Sequence, residues 1–337
     1  MYRIVYIVPY FGKMRKDFNI WLKSCSYNKT IDFLIFTDDH GKYNYPSNVH
    51  VKYISLSEIK QQIEKKLGFN IAMSHPYKLC DFKPAYGDIF SDYITEYDFW
   101  GHCDVDLIFG DIRNFITDKI LDNYEKIGFL GHSTLYKNTY DINQRYKISI
   151  EGYDVNYKKV FTTEQGYHFD EGFMNKLYKA NNWPLYTVVH FADLTEYRHN
   201  FFLTNMEKNL NHSRQIFIWE KGRLFRLYLH KHRIYKDEFM YIHFLKRNMK
   251  LEANLTTVAD KLIIYPNVIT DANIELSYSF INKIAKPKWV KYFFKLYQQK
   301  KTTIRFNNLF KRVAHRLKKY YALSHSNDKL NDLENWQ

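Results

Sequence analysis

The chain has 337 residues, 45% hydrophobic and 18% aromatic content, and a formal net charge of +14. That is enough apolar material for one large domain or two small ones, and it excludes a disordered chain. The charge is concentrated: residues 276 to 327 hold 13 Lys or Arg and no acid, so the body is close to neutral and needs no nucleic acid or other polyanion as partner.

Cys25, Cys80 and Cys103 form no CxxC pair, and their odd number argues against a disulfide framework or a zinc site, which places the chain in a reducing cytoplasm. MYRIVYIVPYFGK lacks the cleavage site of a signal peptide and reads as a buried first strand. No apolar run reaches the ~18 residues of a membrane span.

In chain order, the apolar run from Ile4 to Tyr10 predicts a strand covered on both faces. Residues 17 to 27 predict a helix with Phe18, Trp21 and Leu22 on one side. Residues 31 to 36 predict a second buried strand, ended by Thr37-Asp38-Asp39, and 49 to 54 a third. A charged amphipathic helix follows over 57 to 67, with Ser55 or Ser57 as its cap. In HPYKLCDFKPAYGDIFSDYI, the residues Leu79, Phe82, Tyr86, Ile89 or Phe90, and Tyr93 recur at helical spacing, with Pro84 suited to a first turn. YDFWGHCDVDLIFGDI (97 to 112) predicts a strand, and 126 to 131 another.

From 135 to 215 the chain is more polar, with a short helix over 170 to 180. RQIFIWEKGRLFRLYLH (214 to 230) reads as strand, turn, strand around Glu220-Lys221-Gly222, and EFMYIHFLKR (238 to 247) as an apolar run ending in basic residues. The alternation of strand and helix implies an α/β layer with a mainly parallel sheet, which binds ligands at the carboxyl ends of its strands. Those ends read PYFG, TDD and DVD.

Asp104 and Asp106 are two apart, so on a continuing strand they share a face while Val105 points into the core. Two carboxylates side by side repel, and burying them without a counter-charge would cost several kcal/mol or protonate one of them. A divalent cation resolves the conflict, and oxygen ligands of this kind suit Mg2+ or Mn2+. The chain has no GxGxxG and no GxxxxGK[ST], so phosphates would be held by a metal and basic side chains.

With YKLCDFKPAYGDIF followed by YDFWGHCDVDLIFGDI, the sequence resembles glycosyltransferases of the GT-A fold with an Asp-x-Asp motif, in particular a bacterial family associated with capsule and lipopolysaccharide synthesis. The match runs from the first strand to about residue 250. The resemblance implies a Rossmann-like GT-A domain over 1 to 255, with a donor half to about 135 and an acceptor half after it. A helical, basic extension over 256 to 327 and a polar tail over 328 to 337 would complete the chain. It implies that Pro9, Tyr10, Phe11, Thr37 and Asp38 hold base and ribose, and that Asp81 and Lys83 face the donor nucleotide. Asp104 and Asp106 would reach ribose and metal. His243 would be a third metal ligand, with Lys246 or Arg247 on the phosphates, Lys246 sharing the histidine's side if a helical turn begins there.

The implied reaction moves a sugar, hexosyl in class, from a nucleoside diphosphate sugar, UDP-linked by preference, to a hydroxyl of a glycan or glycolipid. An inverting enzyme needs a carboxylate base, for which Asp170 and Glu171 at a helix start are the candidates. Residues 286 to 321, with Trp289, Phe293, Phe294 and Tyr297 on one face among lysines, have the composition of an interfacial helix on an anionic membrane, here the inner face of the cytoplasmic membrane. Two other classes fit in part: a nucleotidyltransferase, and a non-enzymatic lipid- or polyanion-binding protein with structural acids.

Overall fold

The computed structural model describes residues 1–196, 198–204, 211–254 and 256–287. The amino-terminal part contributes β1 (Ile4–Pro9), β2 (Ile31–Thr37), β3 (Val49–Tyr53), β4 (Phe99–Cys103), β5 (Leu107–Phe109), β6 (Lys126–Leu130) and β7 (Ser133–Lys137). The remainder contributes β8 (Leu185–Tyr186), β9 (Phe191–Asp193), β10 (Gln215–Glu220), β11 (Arg223–His230), β12 (Arg233–Phe239), β13 (Tyr241–His243), β14 (Lys250–Leu251), β15 (Lys261–Tyr265) and β16 (Val268–Thr270).

Among the described residues the strands form three sheets. The central one has the order β3-β2-β1-β4-β7-β6-β8. Its first four strands are parallel and β7 runs antiparallel between β4 and β6, so the fold is α/β and Rossmann-like, as the apolar runs imply. Side-chain alternation sends Val5 and Ile7 to one face and Ile4, Tyr6 and Val8 to the other. The first face is covered by the run from Leu79 to Ile94 and by residues 142 to 178. The second is covered by the helix Phe18–Ser26 and by β5. The helix Leu56–Leu67 begins with a capping box, Ser55 accepting from the Glu58 amide and Glu58 from the Ser55 amide, and ends at left-handed Gly68.

Three features depart from the sequence reading. The expected helix around 79 to 93 is a chain of short pieces: Pro76–Lys78, Leu79–Phe82, Lys83–Ala85, Tyr86–Ile89 and Ser91–Tyr93. Pro84 lacks an amide donor, and Gly87 lies so close to the Trp100 indole that a Cβ there would collide with it. Second, β10, β11, β12, β14, β15 and β16 build a separate, mostly antiparallel sheet. Its first hairpin turns at Lys221 (φ 47°) and Gly222 (φ 79°), both left-handed, as a two-residue hairpin turn requires. Third, β15 pairs with β10, and the helix Tyr278–Ile284 buries Ile281 against the same sheet. The compact unit therefore continues from Met1 to Pro287, past the boundary expected at residue 255. The basic segment assigned to a membrane lies, from residue 288 on, outside the described residues. No helix among the described residues is long and apolar enough to cross a membrane.

Candidate active site

The strand carrying the two aspartates does not continue through them. β4 ends at Cys103, the chain bends over residues 104 to 106, and β5 leaves the central sheet to pair antiparallel with β13. Val105 is buried and anchors the bend, so Asp104 and Asp106 both reach the cleft, through a change of sheet instead of strand alternation. The Asp104 amide donates to the His132 carbonyl (3.0 Å) and the Phe244 amide to the Asp106 carbonyl (3.1 Å).

In the small sheet β5-β13-β9, His243 stands opposite Leu107 on one side and Asp193 on the other. Its Nδ1 lies 2.7 Å from Asp193 Oδ1, and its Nε2 3.4 Å from Asp106 Oδ1. The other Asp193 oxygen accepts from the Thr204 hydroxyl at 2.5 Å. Burial opposes a charge on His243, but its hydrogen bonds to Asp106 and Asp193 outweigh it and push the imidazole up to about 10. One ligand atom each from Asp104, Asp106 and His243 lies within 4.8 Å of the others. Two carboxylate oxygens and one imidazole at that spacing fit a divalent cation such as Mn2+ or Mg2+. The carboxylate behind His243 is the usual way to orient a metal-binding imidazole.

Beside this row lies a charge cluster. Lys83 is buried, and its ammonium donates to Asp104 Oδ1 (2.7 Å) and the Gly131 carbonyl (2.7 Å), with Asp170 Oδ2 4.0 Å away. Burial works against that charge, yet Asp104 and Asp170 hold the proton well above the usual lysine range. Asp170 and Glu171 open a π-helical turn, Phe169–Phe173, entered through His168 at φ 50°. The Gly131 amide donates to Glu171 Oε1 at 2.6 Å, and any Cβ at Gly131 would collide with the Asp170 carboxylate. Burial raises the Asp170 carboxyl; Lys83 pulls it down, Glu171 and Asp104 push it up, and it settles at about 6. Behind them burial lowers Lys126 to about 7, with Asp170 and Glu171 opposing; its Nζ donates to the Gly128 carbonyl and Asn175. Of these two groups only Asp170 reaches the cleft, where a carboxyl that titrates near neutrality can exchange a proton with a substrate.

Asp104, Asp106, His243, Asp193, Lys83, Asp170 and Glu171 line one cleft of about 1210 Å³ at the carboxyl edge of the parallel strands, and Lys126 lies behind its wall. Of the residues singled out in the sequence, Pro9, Tyr10, Phe11, Lys83, Asp104, Asp106, Asp170, Glu171, His243 and Lys246 line it. Asp81 lines it too, and Thr37, Asp38 and Arg247 do not. Thr37 is buried and accepts from the Asp39 amide, and Asp38 accepts from the Gly12 amide, so this pair shapes the turn after β2 and ties it to the turn after β1 instead of lining the cleft. Asp81 is part of the cleft wall, its oxygens taken by Lys78 (2.9 Å) and the amides of Tyr167 and Phe169. Arg247 is buried away from the cleft, bonded to the carbonyls of Thr195 and His199 and to Asn267. No helical turn follows His243; Leu245, at φ 54°, reverses the chain and leaves Lys246 exposed on the rim.

The sequence reading missed Asp193, Gly131, Arg15 and His132. Arg15 lines the cleft while paired with Asp17 at 2.9 Å. The His132 ring packs 4.4 Å from that of His243 and lies 2.9 Å, at Nδ1, from the Tyr241 hydroxyl. HFADLT around Asp193 carries no local signal; its partner is fifty residues away.

The model of a family of unknown function, DUF6625, matches residues 6–273, and the chain belongs to that family. No curated protein matches the sequence. Among solved structures, the chain is similar to the apo crystal structure of mouse xyloside xylosyltransferase 1, at 9% identity and a TM-score of 0.34, over 58% of this chain and 88% of that one. A likeness so distant carries nothing about activity.

Proposed function

We propose that this DUF6625 protein is a metal-dependent glycosyltransferase of the GT-A type, moving a sugar, hexosyl in class, from a nucleoside diphosphate to a hydroxyl of a glycan or glycolipid. One observation carries the reading. Asp104, Asp106 and His243 converge within 4.8 Å at the carboxyl edge of a Rossmann-like sheet, where such sheets bind nucleotides.

Pro9, Tyr10 and Phe11 line the cleft at the end of β1 and would meet the base and ribose. Asp104, Asp106 and His243 would hold the cation, Mn2+ or Mg2+, which supplies charge stabilisation at the diphosphate when bound. Lys246 and Arg15 stand on the same cleft, available to diphosphate oxygens. Lys83, whose proton Asp104 and Asp170 hold well above the usual lysine range, balances those two carboxylates. As the bond from the anomeric carbon to the diphosphate breaks and the bond to the acceptor oxygen forms, the acceptor proton needs a base. Asp170 suits an inverting transfer, since a carboxyl near 6 is ionised at neutral pH yet basic enough to accept a proton. Glu171, committed to the Gly131 amide, shapes the base's surroundings.

The acceptor and setting we propose are a bacterial surface polysaccharide, capsule or lipopolysaccharide, assembled at the inner face of the cytoplasmic membrane, with residues 286 to 321 meeting anionic lipid. The test is a thermal-shift series with UDP, GDP, CTP and ATP, each with and without Mn2+. Stabilisation by UDP or GDP that needs Mn2+ and is lost in Asp106→Ala is expected; ligand at a hundred times its Kd adds about 2.7 kcal/mol. A CTP or ATP preference would point to nucleotidyl transfer, and no response to any nucleotide would sink the reading.

A further inference from the structure

The two walls of the cleft differ in chemistry. The wall on the face covered by β5 and β13 carries Asp106, His243 and Lys246, suited to phosphates and a cation. The other wall, on the face covered by the run from Leu79 onward, carries His75, Tyr77 and Glu164, with Asp170 at its base. Tyr77 is 71% exposed, an unusual state for a tyrosine on a cleft wall.

Tyr77 is exposed without being loose. It sits in the short helix Pro76–Lys78, where Pro76 presets the first turn. The next residue, Lys78, is buried, and its Nζ donates to Asp81 (2.9 Å) and the Gln165 carbonyl (2.7 Å), riveting the turn to the loop before Asp170. The Ser74 amide donates to Glu164 Oε1 at 2.9 Å, and Glu164 Oε2 lies 3.9 Å from His75 Nε2. A rigid aromatic surface beside a carboxylate and an imidazole matches a sugar ring, which has an apolar face and a rim of hydroxyls that both donate and accept.

We propose that Tyr77, with His75 and Glu164, forms a subsite for a pyranose ring of the acceptor, beside Asp170 and across the cleft from the cation row. The proposal rests on the glycosyl-transfer reading for the ring's role as acceptor. It selects a saccharide over a bare lipid as the group next to the reacting hydroxyl.

The test is saturation-transfer NMR on the full chain with UDP and Mn2+ and a set of methyl pyranosides of gluco, galacto, N-acetylgluco and rhamno configuration. Wild type is expected to hold at least one of them. Tyr77→Ala is expected to weaken it about tenfold, the scale of one lost stacking contact, while Tyr77→Trp retains it. UDP affinity in Mn2+ should stay within about twofold in both variants, which excludes misfolding and a nucleobase role for Tyr77. A Tyr77→Ala protein that holds the pyranoside as wild type does, or a UDP-loaded wild type that holds none, overturns the subsite. Wild type that holds pyranosides through Tyr77 yet ignores UDP and Mn2+ keeps the subsite and overturns the transferase.

Discussion

At the residue scale, the site depends on side chains whose surroundings matter more than their type. Asp193 holds His243 at Nδ1, so a cation that displaces the Nε2 proton shared with Asp106 would meet a fixed imidazole. Its removal in Asp193→Ala is expected to weaken Mn2+ binding about 10- to 100-fold by calorimetry, with partial recovery in Asp193→Asn, which keeps an acceptor. Equal affinity in all three proteins would remove Asp193 from the metal's support.

Asp170 carries a stability cost. Its folded value of about 6 stands above the ordinary carboxyl value, 3.8, so the stability that protonation provides is complete below about 3.8 and is lost as pH rises through about 6. At pH 8 that loss is about 3 kcal/mol, at about 1.36 kcal/mol per unit. Asp170→Asn should therefore melt a few degrees higher than wild type at pH 8 and no higher at pH 3.5. Its turnover should fall by about a hundredfold or more if Asp170 is the base. A variant that gains no stability at pH 8 would show that the buried carboxylate is fully compensated.

At the element scale, the departure of β5 from the central sheet decides the site. Strand alternation alone would have kept the acids on β4, far from any partner on β13. The change of sheet carries Leu107 alongside His243 and thereby sets Asp106 against the imidazole. The Trp219 indole of β10 donates to the Phe109 carbonyl at 2.7 Å, both buried, tying the antiparallel sheet to the end of β5. Trp219→Phe keeps most of the packing and leaves that carbonyl unpaired, so it should cost about 1–3 kcal/mol in chemical denaturation. A loss within error would mean the two sheets are held by packing alone.

At the scale of the whole molecule, the compact unit ends at Pro287, and the basic run follows it. Ala285 and Ile281 are fully buried, so a cut is best placed after Pro287. Residues 1 to 287 should fold, with a melting temperature close to that of the full chain, and should bind UDP with Mn2+ equally well. Binding to anionic vesicles should fall sharply and, in the full chain, weaken with salt, since attraction between lipid and Lys or Arg is screened. Unfolding or aggregation of the shortened chain would show that the segment completes the core instead of meeting a membrane.

Much of this was legible in the chain itself. Apolar runs of strand length, a serine cap at Ser55 or Ser57, and the Glu220-Lys221-Gly222 turn are local, because burial periodicity and backbone preference are written into neighbouring residues. The Asp-x-Asp pair stood out as a candidate metal site because two carboxylates are improbable in apolar surroundings, whereas the histidine of YIHFLKR became a candidate only through the resemblance. Tertiary structure decided the rest. Asp193 meets His243 through the pairing of β9 with β13, Gly131 is glycine because Asp170 closes on it, and Arg247 is drawn into the carbonyls of Thr195 and His199 although it stands four residues from the histidine. Each of these follows from which distant strands lie side by side, and strand partnership is set by the packing of whole layers, which no short stretch of sequence records.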